Sequence, residues 1–166
     1  MKKNNNSPSN KFIGIDPGKS GGICVIWEEN DKQLIEAKKC PSTVHDMSLM
    51  FALIVQETPP YIIRVMIEKV WARPHDGRAS VFKFAENYGQ WEGIVASYDI
   101  KLNYVTPQAW MKSYEVPKKL TKTDRKNHIK TLAKEMYPEL ERKITLATSD
   151  AILIADYGKT KFDKIS

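Results

Sequence analysis

From Lys11 onward the chain alternates short apolar runs with turns. Phe12-Ile13-Gly14-Ile15-Asp16 ends in an acid before the glycine-rich turn Pro17-Gly18-Lys19-Ser20-Gly21-Gly22. Ile23-Cys24-Val25-Ile26-Trp27 follows, then the polar turn Glu28-Glu29-Asn30-Asp31, then Gln33-Leu34-Ile35-Glu36-Ala37. Three short runs divided by turn residues predict an antiparallel meander. The spacing of Met47, Met50, Phe51 and Ile54 predicts a helix from Thr43 to Glu57, capped by Ser42 or Thr43 and stopped by Pro59-Pro60. Ile62 to Glu68 reads as a buried strand ending in a second acid.

Helical spacing returns from Ser80 to Tyr98, with Val81, Phe84, Tyr88, Trp91 and Val95 on one stripe. Leu102 to Val105 is a further strand, and Pro107 suits the first turn of a short helix reaching about Ser113. A basic connector from Val116 to Lys122 leads to a helix from Thr123 to Met136. The last helix starts near Thr148, and Gly158 is its expected stop. A meander followed by alternating helices and strands predicts an α/β mixed sheet with helices packed on it. No repeat and no Gly/Ser-rich linker divides the chain, so residues 11–166 read as one domain behind a disordered tail, 1–10.

Composition narrows the picture. An apolar fraction of 42% and four tryptophans supply a packed core without staples. A net charge of +6 with a pI near 9.2 favours a polyanionic partner. Cys24 and Cys40 are the only cysteines, which fits a reduced intracellular protein. No stretch approaches the roughly 20 apolar residues needed to span a bilayer. The charged start lacks the hydrophobic segment of a secretion signal. The expectation is a soluble intracellular protein in a compartment that holds nucleic acid, with no membrane partner.

Three acids stand out. Asp16 ends the first strand, Glu68 ends the strand expected at the centre, and Asp150 lies in the first turn of an apolar helix. Each has an ordinary explanation taken singly: a solvated strand end, a sheet-edge acid, a favourable helix-dipole charge. Taken together, a sheet with its first strand beside its fourth brings Asp16 and Glu68 side by side, and a covering helix can add Asp150. Clustered carboxylates cannot stay ionised together without a cation. Magnesium is the natural occupant, and two such ions suit phosphodiester hydrolysis.

At these residues the chain resembles a known family. Ile13-Gly14-Ile15-Asp16-Pro17-Gly18 with Ser20-Gly21-Gly22 is similar to the first motif of the RuvC-like Holliday junction resolvases of the RNase H-like superfamily. Ile67-Glu68-Lys69-Val70-Trp71 resembles their second motif. Val105-Thr106-Pro107-Gln108-Ala109-Trp110-Met111-Lys112 and Ser149-Asp150-Ala151-Ile152-Leu153-Ile154-Ala155-Asp156-Tyr157-Gly158 resemble phage and bacterial members. The resemblance implies an RNase H-like mixed sheet, an antiparallel three-strand meander plus parallel strands, with helices on both faces. It implies a catalytic metal site of Asp16, Glu68 and Asp150 holding two Mg2+ ions, which Mn2+ can replace. It also implies a homodimer acting on four-way DNA junctions.

By the same resemblance Trp71 stacks on bases near the crossover, although a tryptophan after a buried strand is as commonly core. Lys112 and Lys122 fall where the family has lysines near the scissile phosphate. Lys118, Lys119, Lys122, Arg125, Lys126 and Lys130 form the densest positive stretch, a solvated face unless it meets DNA. Lys19, Arg73 and Arg78 flank the motifs, and His75 reads as a loop histidine. Ala85, Gly89 and Gly93 recur every four residues on one helix. That stripe permits close backbone approach, to the protein's own sheet or to a partner; the resemblance favours the dimer contact.

The pattern departs from the family at one place. A further acid or histidine usually precedes the last aspartate by three to five residues, where this chain has Ala147, Leu146 and Thr145. Asp156 is no substitute, because six residues along a helix turn its side chain away from Asp150. A weak enzyme, an acid recruited from a loop such as Asp76, or an inactive variant with Ala147 in place of an acid all fit. So do other RNase H-like nucleases, acting on RNA–DNA hybrids or branched DNA, and a non-catalytic junction-binding protein.

Overall fold

Alternation of side chains along each strand divides the molecule into two layers of core. The computed structural model describes residues 9–69, 71 and 77–163. Its sheet has five strands: β1 (Lys11–Asp16), β2 (Gly22–Glu29), β3 (Lys32–Lys39), β4 (Ile63–Glu68) and β5 (Leu102–Val105), in the order β3-β2-β1-β4-β5. The meander β1–β2–β3 is antiparallel, while β4 runs parallel to both β1 and β5. The β2–β3 hairpin turns on Asn30 and Asp31 at φ 52° and 59°. A tight two-residue hairpin needs that left-handed pair, and Asn and Asp tolerate it.

Among the described residues five α-helices cover the sheet: α1 (Val44–Val55), α2 (Arg78–Ser97), α3 (Pro107–Ser113), α4 (Lys122–Met136) and α5 (Ser149–Asp163). Three begin on a threonine cap. The Thr43, Thr106 and Thr121 hydroxyls accept from the amides of Asp46, Ala109 and Asp124 at 3.1, 3.2 and 3.1 Å. Each cap satisfies an amide that the first helical turn leaves free.

Ile13, Ile15, Val65 and Ile67 point to one face, where α1 and α2 close over them with Met47, Phe51, Trp91 and Val95. Phe12, Cys24, Ile26 and Met66 point to the other, under α3, α4 and α5 with Trp110, Ile129, Ile152 and Leu153. Gly14 belongs to this second face. A Cβ there would lie 2.3 Å from the Ala155 amide nitrogen and 2.4 Å from the Ala151 carbonyl oxygen, so the α5 backbone rests directly on β1. Helices thus lie on both faces of a mixed sheet, as expected.

Gly158 does not stop the last helix, which continues to Asp163. Its missing side chain serves packing instead: a Cβ would stand 3.4 Å from that of Met66 on β4. The turns beyond it are held by Phe162 stacking on Phe12, ring centres 6.4 Å apart. At the start of the chain, the Ser9 hydroxyl donates to the Glu28 carbonyl, tying a residue expected in the tail to the edge of β2. No helix among the described residues is long and apolar enough to cross a membrane.

Candidate active site

Parity decides where the acids go. Asp16 is two residues beyond Gly14 and Glu68 two beyond Met66, so both side chains emerge on the α5 face. The parallel register pairs Ile15 with Ile67, which sets Asp16 and Glu68 side by side at the carboxyl ends of neighbouring strands. The close seat of α5 on Gly14 brings the first turn of that helix, with Asp150, to the same end. All three carboxylates are buried, with residue exposures of 8%, 9% and 6% for Asp16, Glu68 and Asp150.

Such crowding is costly, and the titration behaviour reflects it. Burial pushes the Asp16 carboxyl well above the usual aspartate range, and the charges of Asp150 and Glu68 push it further; Lys126 only partly offsets them. Burial also raises Glu68, opposed by a hydrogen bond from Trp110 and aggravated by Asp150. Trp110 Nε1 donates to Glu68 Oε1 at 2.8 Å. This fully buried tryptophan is a site residue that sequence reasoning passed over. The available signal was chemical: a buried indole N–H needs an acceptor.

Lys126 is the second residue so missed. Grouped in the sequence with a solvated or DNA-facing charge run, it instead reaches inward from α4. Its ammonium lies 2.5 Å from Asp150 Oδ2 and 3.9 Å from Asp16 Oδ2. Burial opposes its charge, but attraction to Asp150, Asp16 and Glu68 outweighs this and raises its pKa. Asp156, by contrast, serves structure. It accepts hydrogen bonds from the Tyr114 and Tyr137 hydroxyls, both at 2.6 Å, and so ties α3 and the end of α4 to α5.

Among the described residues no group of three or more His, Cys, Asp or Glu side chains is arranged to hold a metal ion. The arrangement as it stands is closed around an ammonium. The donor chemistry, however, suits a hard divalent cation: three buried oxygen ligand sets with one lysine among them leave the cluster short of positive charge. Ala147 lies just before α5, where its carbonyl oxygen would be 2.6 Å from a Cβ on Gly22, the register partner of Asp16. The position that lacks an acid therefore abuts the site.

The remaining candidates are mostly surface residues. Lys19, Lys112, Lys118, Lys119 and Lys122 are all exposed. Lys112, Lys118 and Arg125 line a groove of about 500 Å³ between α3 and α4, floored by Met111 and Val116. Trp71 is 62% exposed, which removes the reading of it as core. The Lys69 ammonium lies 5.9 Å from its ring centre and 5.2 Å from that of Tyr104. Arg73, His75 and Asp76 fall outside the described residues. On α2, Ala85, Gly89 and Gly93 face outward, and a Cβ on either glycine would meet nothing within 4 Å. Packing against its own sheet does not explain that stripe.

A second buried device supports the turn after Asp16. Asn87, on the inner side of α2, accepts a hydrogen bond from the Gly18 amide at 2.6 Å. Gly18 itself has φ +113°, a conformation that side-chain-bearing residues rarely adopt.

No protein-family model matches the chain, and no curated protein matches it in sequence. Solved structures do. T. thermophilus RuvC in complex with a Holliday junction substrate superposes with a TM-score of 0.64 at 14% identity, covering 94% of this chain and 96% of that one. The fowlpox virus Holliday junction resolvase gives a TM-score of 0.51 at 12% identity over 94% of this chain and 99% of the other. Its complex with junction DNA gives 0.52 at 12%, over 93% and 98%. The chain has the RuvC-like resolvase fold.

Proposed function

We propose that this RuvC-like fold is a structure-selective endonuclease that cleaves four-way DNA junctions by metal-dependent phosphodiester hydrolysis. The observation that carries the reading is the convergence of Asp16, Glu68 and Asp150, from three separate elements, at one end of the sheet. Nothing in packing requires three buried carboxylates to meet, and their mutual repulsion opposes it. The fold adds weight, because a similar structure holds a Holliday junction substrate.

In this reading the three acids hold Mg2+, with Mn2+ able to replace it and two ions per site. When bound, the ions supply a positioned attacking water and charge neutralisation at the leaving oxygen. The chain's own groups do the rest. Trp110 fixes the Glu68 carboxylate through its indole N–H. Lys112, Lys118 and Arg125 line a groove that suits a phosphate backbone, with Lys119 and Lys122 exposed nearby in sequence and Lys19 exposed in the turn after β1. Trp71 offers an exposed ring for an unpaired base, a contact worth roughly 1–3 kcal/mol. Arg73 keeps its proposed DNA contact on sequence grounds alone.

A four-way junction presents two strands to cut, which a homodimer matches with two sites. The exposed stripe of Ala85, Gly89 and Gly93, beside a Phe82 that is 71% exposed, supports dimerisation through α2. The protein then works inside the cell, in a compartment that contains DNA.

Cleavage of a synthetic four-way junction, a plain duplex and an RNA–DNA hybrid under magnesium tests the reading. The junction should be cut selectively, and Asp16→Asn should lower the rate at least about a thousandfold. Hybrid cleavage above junction cleavage would reassign the substrate. A second reading, a junction-binding protein without catalysis, draws on Ala147 and on the closed arrangement around Lys126. It expects binding without cutting in magnesium or manganese, and Ala147→Asp should then create or strengthen cleavage. No gain from that substitution would remove position 147 from the account of the site.

A further inference from the structure

We infer that Lys126 is a built-in counter-cation of the carboxylate site: it bridges Asp16 and Asp150 in the metal-free protein and must leave Asp150 before a divalent ion can be held there. The inference rests on the metal-dependent reading above and specifies how this chain controls access to its metal site.

The geometry singles out this one lysine. Its ammonium contacts Asp150 Oδ2 at 2.5 Å and stands 3.9 Å from Asp16 Oδ2, so it lies between acids brought from β1 and α5. It also acts on Glu68, the third acid, as does the neighbouring Arg125. The α4 backbone is anchored, since Ile129 and Ala133 are buried in the core shared with α5. Whatever movement occurs is therefore in the side chain.

The chemistry of lysine suits a displaceable cation. A guanidinium would lock a carboxylate in a planar fork, whereas an ammonium is a point charge on a flexible four-carbon stem. The Lys126 side chain remains 30% exposed, which leaves a path outward. A hard divalent ion carries twice its charge and takes several oxygen ligands at once, so it can replace the ammonium between these acids.

The sign of one substitution separates this role from a DNA contact. Neutralising a lysine that only touches DNA leaves metal affinity in the absence of DNA unchanged. Neutralising an internal competitor tightens it. In the full-length chain without DNA, titration of MgCl2 and CaCl2 by calorimetry should give roughly tenfold tighter binding for Lys126→Gln than for the wild type, the scale of one partly buried charge pair. Metal-free Lys126→Gln should melt below the wild type and gain more from added magnesium, while Lys126→Arg should bind metal within about threefold of the wild type or more weakly.

Equal or weaker metal binding by Lys126→Gln would overturn the inference while leaving the metal site intact. Absence of metal binding in the wild type and both variants would sink the metal-dependent reading, and the inference with it. Should the glutamine variant not fold, the Lys126 side-chain NMR signal of the wild type decides. It should move as magnesium is added, and a signal that stays put while magnesium binds would overturn the inference.

Discussion

Ile13, Ile15, Val65 and Ile67 meet α1 and α2 on one face of the sheet, and that layer is aliphatic and aromatic almost throughout. The other face begins the same way, with Phe12, Cys24 and Met66, yet at the strand ends it buries Asp16 and Glu68 under α5. The two layers share strands, length and twist. They differ in how the covering helix approaches. On the α5 side, Gly14, Ala151 and Ala155 remove the side chains that would hold helix and strand apart, so the helix backbone touches β1. On the other side, α1 and α2 stand off on large side chains such as Phe51 and Trp91. Close approach converts a packing surface into a site, because it delivers Asp150 to acids that a looser helix would leave exposed.

The same contrast holds between glycines. Gly14 and Gly89 are both small residues within regular elements, but a Cβ on Gly14 would meet the α5 backbone and one on Gly89 would meet nothing. Of these two positions, an added methyl is therefore expected to have the larger effect at 14. Gly14→Ala should cost about 3 kcal/mol or more in chemical denaturation, because backbone atoms at 2.3 and 2.4 Å must shift. A full leucine at Gly89 should leave the fold intact and instead turn the proposed dimer into monomers in sedimentation. Similar stability losses at both positions would erase the distinction, and a dimeric Gly89→Leu protein would move the interface elsewhere.

Next in size is the response to pH. The buried Asp16 carboxyl is raised well above its ordinary value, so the folded protein keeps a proton that the unfolded chain gives up. This stabilisation is fully present below the unfolded value and is lost as pH rises through the raised folded one. Metal-free protein should therefore melt progressively lower from mildly acidic to neutral pH. Asp16→Asn should flatten that decline and melt roughly 3–6 °C above the wild type at neutral pH while losing cleavage. Melting curves that stay parallel across the range would mean that neither burial nor the neighbouring acids raise the Asp16 carboxyl.

The smallest effect belongs to the exposed rim. Lys122 opens α4 and is solvent-facing, unlike Lys126 one turn further along. Lys122→Ala should weaken junction binding a few-fold and reduce the slope of log affinity against log salt by about one. An unchanged slope would remove Lys122 from the interface. Together with the calorimetric comparison at Lys126, this asks whether two lysines four residues apart do different jobs.

Much of this was legible in the chain itself. Short apolar runs bounded by turn residues located β1 and β4, and the two-residue period of a strand puts Asp16 and Glu68 on the same face as Gly14 and Met66. A cap at Thr43 and a proline at 107 marked the starts of α1 and α3, and the helix expected from Thr123 begins one residue earlier, at Lys122. Gly158 misled because a glycine can end a helix or let one pack closely, and the local sequence is the same in both cases.

Sequence by itself determined the elements, the strand parity and the three acids that could form a site, because each of these is a local property of spacing and residue type. Only the tertiary structure decided that Lys126 turns inward while Lys122 does not, that Trp110 serves Glu68, that Asp156 is held by two tyrosines, and that Gly89 and Gly93 face open space. Periodicity says which side of an element is buried. It does not say which other element buries it, and a charge or an indole N–H takes its function from the partner it meets there.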